Sequence, residues 1–211
     1  MNSLQSPIYL FSILPIPFLF QLCGQRINTL RLQCSDKTFL TNKDLSTIAT
    51  NCPLLDALEI VNLSMSEDPD IISASAVPKP LNFRFLTQLR LYQISVAPPS
   101  AQLRELCLFM LAGCPDLEVL HLEFPEKAWF FSDFLLDEIL VVNPLPRLET
   151  FVIKNAAMTL ISALRLLNQR PKLKKIGQIL HWDVEISELD TFEQIIKRVK
   201  RFNLLRDVTF L

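Results

Sequence analysis

One pattern constrains this chain more than any other: apolar, two variable, apolar, one variable, apolar. It occurs at Ile27-Leu30-Leu32, Leu55-Leu58-Ile60, Leu86-Leu89-Leu91, Leu117-Leu120-Leu122, Leu148-Phe151-Ile153 and Leu205-Val208-Phe210. A weaker copy is Leu173-Ile176, where Gln178 replaces the last apolar residue. The middle positions 30, 58, 89, 120, 151, 176 and 208 are separated by 28, 31, 31, 31, 25 and 32 residues. Three equal intervals in succession mark a repeating unit rather than a composition effect.

Proline is locked to the same frame. Pro53, Pro115, Pro146 and Pro171 each stand two residues before the first apolar position of a copy. Proline lacks an amide donor and disfavours helix in the residue before it, so each one ends a preceding helix at a fixed place. Helical spacing lies between the copies. Leu45, Ile48, Ala49 and Cys52 follow Thr41 and Asn42 as caps. Leu103, Leu106, Cys107 and Met110 repeat the spacing, as do Phe134, Leu135, Ile139 and Leu140. Leu160, Ile161, Leu164 and Leu167 form a fourth set, and Phe192, Ile195, Ile196 and Val199 a fifth. Each unit is therefore a short strand, a loop and a helix leading to a parallel strand. One unit cannot bury its apolar face alone, but stacked units share a continuous core.

Composition agrees with a large core and few tight turns. Of 211 residues, 50% are hydrophobic, enough to fold without metal or disulfide. Three glycines disfavour phosphate-cradling loops and tight hairpins. The net charge of −1 selects neither nucleic acid nor an acidic substrate. Charge is uneven along the chain: residues 1–153 carry 10 Lys+Arg and 16 Asp+Glu, and residues 154–211 carry 11 and 6. The basic end includes Lys172, Lys174, Lys175, Lys197, Arg198, Lys200 and Arg201, which reads as a solvated helix face before it reads as an acidic-ligand patch.

Five cysteines (Cys23, Cys34, Cys52, Cys107 and Cys114) lack the paired short spacings of a disulfide framework or zinc site. Buried, reduced thiols in the cytoplasm or nucleus are expected. The apolar stretch Ile8 to Leu22 has no basic residue before it and is interrupted by Pro15 and Pro17. It reads as a degenerate first repeat rather than a signal peptide, and it is too short for a membrane span.

The stretch from Leu45 through Asn51-Cys52-Pro53 to Ile60, and Cys114-Pro115 to Leu122, resemble the cysteine-containing leucine-rich repeats of F-box substrate receptors and ribonuclease-inhibitor-like proteins. The resemblance covers residues 18–211. It implies an α/β fold: a right-handed leucine-rich-repeat solenoid, or horseshoe, with short parallel strands on the concave face and helices on the convex face. Residues 1–17 form the irregular apolar or degenerate segment, and 18–211 hold about seven strand–helix repeats with an insertion at about 62–82. Cys34, Asn62 and Asn155 fall two residues after the last strand apolar residue, where the family pattern has them three after. The chain stops at Phe210-Leu211 inside a strand without a polar cap, so it reads as a fragment or short isoform; no F-box is readable upstream.

Strand alternation turns the residues between the buried leucines to the open face. Those expected to bind a protein partner are Arg31, Glu59, Arg90, Tyr92, His121, Glu123, Lys154 and Lys175. Arg31, Glu59, Arg90 and His121 occupy equivalent positions and should form a row. Trp129, in the aromatic stretch Phe124 to Phe131, and Trp182 are further expected hot spots on loops; Phe130 and Phe131 could equally roof the core.

Catalysis is not expected, and no catalytic, cofactor-binding or metal-binding residue is assigned. His121 and His181 are the two histidines, and no Gly-x-Ser-x-Gly, His-Glu-x-x-His or Gly-x-Gly-x-x-Gly sequence occurs. The expected function is a protein-binding module resembling the substrate-binding part of an F-box ubiquitin-ligase receptor, with no nucleic acid or membrane partner and no cofactor. Ubiquitin-ligase machinery would be recruited only if an F-box exists in a longer parent chain. Two alternatives stand beside it: a secreted repeat protein, with Asn62-Leu63-Ser64 as a glycosylation sequon, and a repeat fragment with no function beyond folding.

Overall fold

A computed structural model describes residues 16–33, 39–40, 42–62, 64–65, 82–94, 101–185, 187–191 and 194. Six strands form one parallel sheet: β1 (Thr29–Gln33), β3 (Ala57–Val61), β5 (Gln88–Tyr92), β6 (Val119–Ser132), β7 (Thr150–Ala157) and β8 (Lys175–Gly177), in that spatial order. Two short strands, β2 (Phe39–Leu40) and β4 (Ser64–Met65), pair separately. The helices are α1 (Ile16–Cys23), α2 (Asn42–Asn51), α3 (Ala101–Ala112), α4 (Asp133–Val142) and α5 (Leu160–Gln169). The protein is therefore α/β with an open, all-parallel six-stranded sheet.

The recurring apolar positions come into register. Leu30, Leu58, Leu89, Leu120, Phe151 and Ile176 are Cα partners along the sheet, all buried. Strands β1, β3 and β5 alternate buried and partly exposed residues, because successive side chains leave opposite faces. The helices add Leu45, Ile48, Cys107, Met110, Leu135, Ile139, Leu166 and Leu167 to the same continuous core.

The approach to each strand is also regular. A backbone bond closes a tight turn from Ile27 to Gly24, Leu55 to Cys52, Leu86 to Phe83, Leu117 to Cys114, Leu148 to Leu145, and Leu173 to Arg170. Pro53, Pro115, Pro146 and Pro171 sit at the second position of four of these turns. Their fixed φ suits that place, and no donor is lost there. Gly24 is needed for a close approach: a Cβ there would lie 2.4 Å from the Asn51 carbonyl oxygen.

Just past a buried leucine-type position of four strands the chain passes through left-handed backbone, inside the strand in the case of β7. Asn62, Gln93, Asn155 and Gln178 have φ of 58°, 51°, 61° and 66°. All four stand two residues after a buried strand position. Asparagine tolerates this conformation better than most residues, which explains its use at 62 and 155. Asn155 also donates from Nδ2 to the Phe124 carbonyl at 2.6 Å, tying β7 to β6.

Several expectations need correction. Phe124 to Phe131 is not a loop: it continues β6, with Phe124, Ala128 and Phe131 buried, and the register against β7 shifts between Glu123, Ala128 and Ser132. The helix faces are rotated from those expected. On α4, Phe134 is exposed and Leu136 is buried; on α5, Ile161 is exposed while Ser162 and Ala163 face inward. Gln178 does not replace a core residue. The strand has already ended at Gly177, and Ile179 fills the space instead. Residues 1–15, most of the insertion at about 62–82, most of the 192–199 helix, the 205–210 copy and the basic cluster 197–201 lie outside the described residues.

Polar ties join neighbouring units. Asn143 is buried and fully used: Nδ2 donates to the carbonyls of Leu111 at 2.7 Å and Cys114 at 2.9 Å, and Oδ1 accepts from the Leu145 amide at 3.1 Å. Asp133 accepts from the Thr159 amide at 3.0 Å and from the hydroxyls of Thr159 and Ser162, holding the start of α5. Thr159 in turn caps α5 by accepting from the Ile161 amide at 3.2 Å. Among the described residues, no helix is long and apolar enough to cross a membrane.

Asn143→Ala removes both donors and the acceptor, leaving the Leu145 amide without its partner and the carbonyls of Leu111 and Cys114 with only their backbone bonds from Cys114 and Leu117. It should lower unfolding free energy by about 2–3 kcal/mol, measured by urea titration. An unchanged midpoint would mean that water replaces the side chain.

Candidate functional site

The face of the sheet opposite the leucines carries the expected binding residues. Arg31, Glu59, Arg90 and His121 are successive Cα partners, and the line continues through Val152 and Gly177. The row is thus polar over four strands and apolar over two. A parallel line holds Thr29, Ala57, Gln88, Val119, Thr150 and Lys175, which places Lys175 beside the row rather than in it. Tyr92 pairs with Val61, and Glu123 pairs with Lys154.

Two of these charges are matched within the face. Arg31 Nε lies 3.3 Å from Glu59 Oε1, and Lys154 Nζ lies 2.9 Å from Glu123 Oε1. Both pairs are partly exposed, so each contributes below about 1 kcal/mol to stability. Each ties a side chain of one strand to the strand beside it.

Tyr92 and His121 form the aromatic centre. Their rings meet edge to face, with centroids 4.7 Å apart, and the Tyr92 hydroxyl lies 3.4 Å from His121 Nδ1. Burial lowers the His121 pKa, and Arg90 and Lys175 lower it further; Glu123 and Glu59 pull the other way. Burial also raises the Tyr92 hydroxyl above its usual range. At neutral pH the pair is an uncharged, half-buried surface between charged neighbours. Such a surface gives apolar contact together with hydrogen-bonding reach, as interface centres do.

The two tryptophans separate. Trp129 is 69% exposed, with Lys127 Nζ 4.5 Å from its ring centroid. Lys127 also pairs with Asp183 at 2.7 Å, so Lys127, Trp129 and Asp183 make a small surface group. Sequence reasoning misses Lys127 and Asp183. The i, i+2 spacing of Lys127 and Trp129 pairs those two only once the stretch is read as strand. Trp182 is not a hot spot. It is 5% exposed, its ring packs edge to face on Phe151, and Nε1 donates to the Ile153 carbonyl at 2.7 Å. An indole that has found both an aromatic neighbour and an acceptor inside the core has no reason to face solvent.

Cysteine chemistry is muted. Cys23, Cys52, Cys107 and Cys114 are free thiols, and the last three are buried. Burial pushes Cys52 and Cys107 up to about 12 and raises Cys114 strongly. A thiol held there has almost no thiolate at neutral pH, the form that attacks electrophiles. Among the described residues no three His, Cys, Asp or Glu side chains are grouped to hold a metal ion. Outside the sheet, α4 exposes Phe134 and Val141, seven residues apart and 82% and 84% exposed.

No protein-family model matches this sequence, and no curated protein is similar to it.

The lowered pKa of His121 gives a pH signature. The folded ring binds its proton less readily than the unfolded one, whose value is near 6.5. Its contribution to stability is therefore complete above pH 6.5 and is lost as pH falls through the folded pKa. His121→Gln should flatten stability against pH below 6.5 in denaturant titrations. An unaltered slope would show that the ring titrates alike in both states.

Proposed function

We propose that this protein is a leucine-rich-repeat solenoid whose open sheet face binds a protein partner, without catalytic activity of its own. The observation that supports this reading is the register: side chains from consecutive strands are brought into rows on one face while the other face fills with leucine. Rows built from Arg, Tyr, His and Glu on a packed scaffold offer a preorganised contact surface. The raised thiols of Cys52 and Cys107 favour a structural role for those cysteines over a nucleophilic one.

On this reading the chain is a recognition module like the substrate-binding part of an F-box receptor. It would recruit ubiquitin-ligase machinery only through an F-box in a longer parent chain. The free thiols suit a reducing compartment, the cytoplasm or nucleus. A secreted repeat protein is the second reading, carried by the sequon at Asn62-Leu63-Ser64.

An affinity capture with mass spectrometry tests the binding face, comparing wild type with a variant carrying Arg31→Glu, Arg90→Glu and Tyr92→Ala. A partner held by wild type should be depleted at least about tenfold on the folded variant, since the centre of the face is both recharged and truncated. Equal recovery on both would move binding away from the sheet.

A further inference from the structure

Charge matching on the sheet face leaves a remainder. Its strands place four cations there (Arg31, Arg90, Lys154 and Lys175) against two anions, Glu59 and Glu123. Glu59 is engaged by Arg31 and Glu123 by Lys154. Among the described residues, Arg90 and Lys175 have no carboxylate within ion-pair distance. In strand order these two cations stand on either side of His121, Arg90 on the adjacent strand β5 and Lys175 two strands beyond on β8, in the neighbouring line. Arg90 is the direct neighbour of His121, and both Arg90 and Lys175 act on the His121 ring electrostatically.

The positions next along the row are small. Val152 follows His121, and Gly177 follows Val152 with no side chain to project. Both are buried, and a Cβ on Gly177 would lie 3.0 Å from a Val152 methyl, so the polar groups that a ligand can reach here are those of Arg90, His121 and Lys175. Tyr92 supplies a hydroxyl against the same ring. Arginine and lysine on either side of a half-buried imidazole and a phenol make a donor-rich surface with an excess of positive charge. A carboxylate fits that chemistry, because arginine can bind it through two parallel hydrogen bonds.

We propose that the sheet face takes an acidic, extended peptide segment of its partner, with one carboxylate seated between Arg90, His121 and Lys175. This rests on the reading of the face as a protein-binding surface and names the chemistry of the occupant. The matched pairs Arg31–Glu59 and Glu123–Lys154 lie on the same face and are left intact by the docked segment. A seated carboxylate opposes Arg90 and Lys175 at the ring and so favours the imidazolium, which then donates a further hydrogen bond to it. Binding and protonation of His121 are thereby coupled, and the other charges facing the ring, Glu59 and Glu123, already lie on the favouring side.

The chain has two histidines, His121 and His181, so proton NMR reads the site directly. The probe is a short poly-glutamate peptide added to the full chain, with a poly-glutamine peptide of equal length as control. The His121 ring resonance should move saturably with the glutamate peptide alone, its pKa rising by about one unit, while His181 stays in place. In the Arg90→Gln, Lys175→Gln double variant the peptide affinity should fall at least about tenfold, and its salt dependence should weaken. Both positions lie on the open face, and the wild-type titration stands even if the variant misfolds. A His121 signal unmoved by poly-glutamate, or moved equally by poly-glutamine, overturns the acidic occupant. If partner capture still depends on Arg31, Arg90 and Tyr92 in that case, the binding face itself survives and only the chemistry of its ligand is refuted.

Discussion

The arrangement rests on one hydrogen-bond device used at every step of the sheet. The carbonyl of the residue just before each strand accepts two amides from the approach to the next. Asn28 receives Asp56 and Ala57, Asp56 receives Thr87 and Gln88, and Thr87 receives Glu118 and Val119. Glu118 then receives Glu149 and Thr150, and Glu149 receives Lys174 and Lys175. All these bonds are 2.7–3.0 Å long. Because a carbonyl has two lone pairs, each unit can clamp the next at the point where the ladder begins. The clamp sets the register, and a slip of one residue would turn every leucine outward.

This register makes the sheet asymmetric. One face is uniformly apolar, and its burial against the helices supplies the main driving force. The other face is free to vary, because a substitution there changes no core volume. Left-handed backbone recurs after the buried strand positions and occurs once more in an approach turn, at Leu145 with φ of 47°. Gln93 and Gln178 adopt left-handed backbone without the local hydrogen-bonding options of asparagine, at a cost of about 1–2 kcal/mol each. The same turn geometry is thus kept at 62, 93, 155 and 178 although its preferred residue is present at only two of them. Strand β6 departs from this scheme: at Phe124, the equivalent place, the chain stays extended and adds a second pairing segment with β7.

Much of this architecture is legible from residues alone. The spacing of Leu58, Leu89, Leu120 and Phe151 locates the strands, and Pro53, Pro115, Pro146 and Pro171 locate the turns before them. Alternation then assigns Arg31, Glu59, Arg90 and His121 to one row, since period two leaves a strand residue no third direction. Helix faces are less legible. Phe134 and Ile161 satisfy an apolar helical spacing, yet they point outward, because a 3.6-residue period allows neighbouring registers of similar quality and the sheet selects among them. Trp182 escapes sequence reasoning on related grounds: an aromatic residue after a strand carries no mark of whether an acceptor, here the Ile153 carbonyl, waits inside.

The sequence by itself determined where the repeated strands of the sheet begin, where the chain turns before them, and which side chains lie on the face opposite the leucines. These properties come from periods of two and from the fixed φ of proline, which act within a few residues. Only the tertiary structure decided that Glu59 and Glu123 are already matched by Arg31 and Lys154, while Arg90 and Lys175 have no carboxylate among the described residues within ion-pair distance. These partners are separated by tens of residues, and their meeting depends on the stagger between strands, which short-range periodicity does not encode.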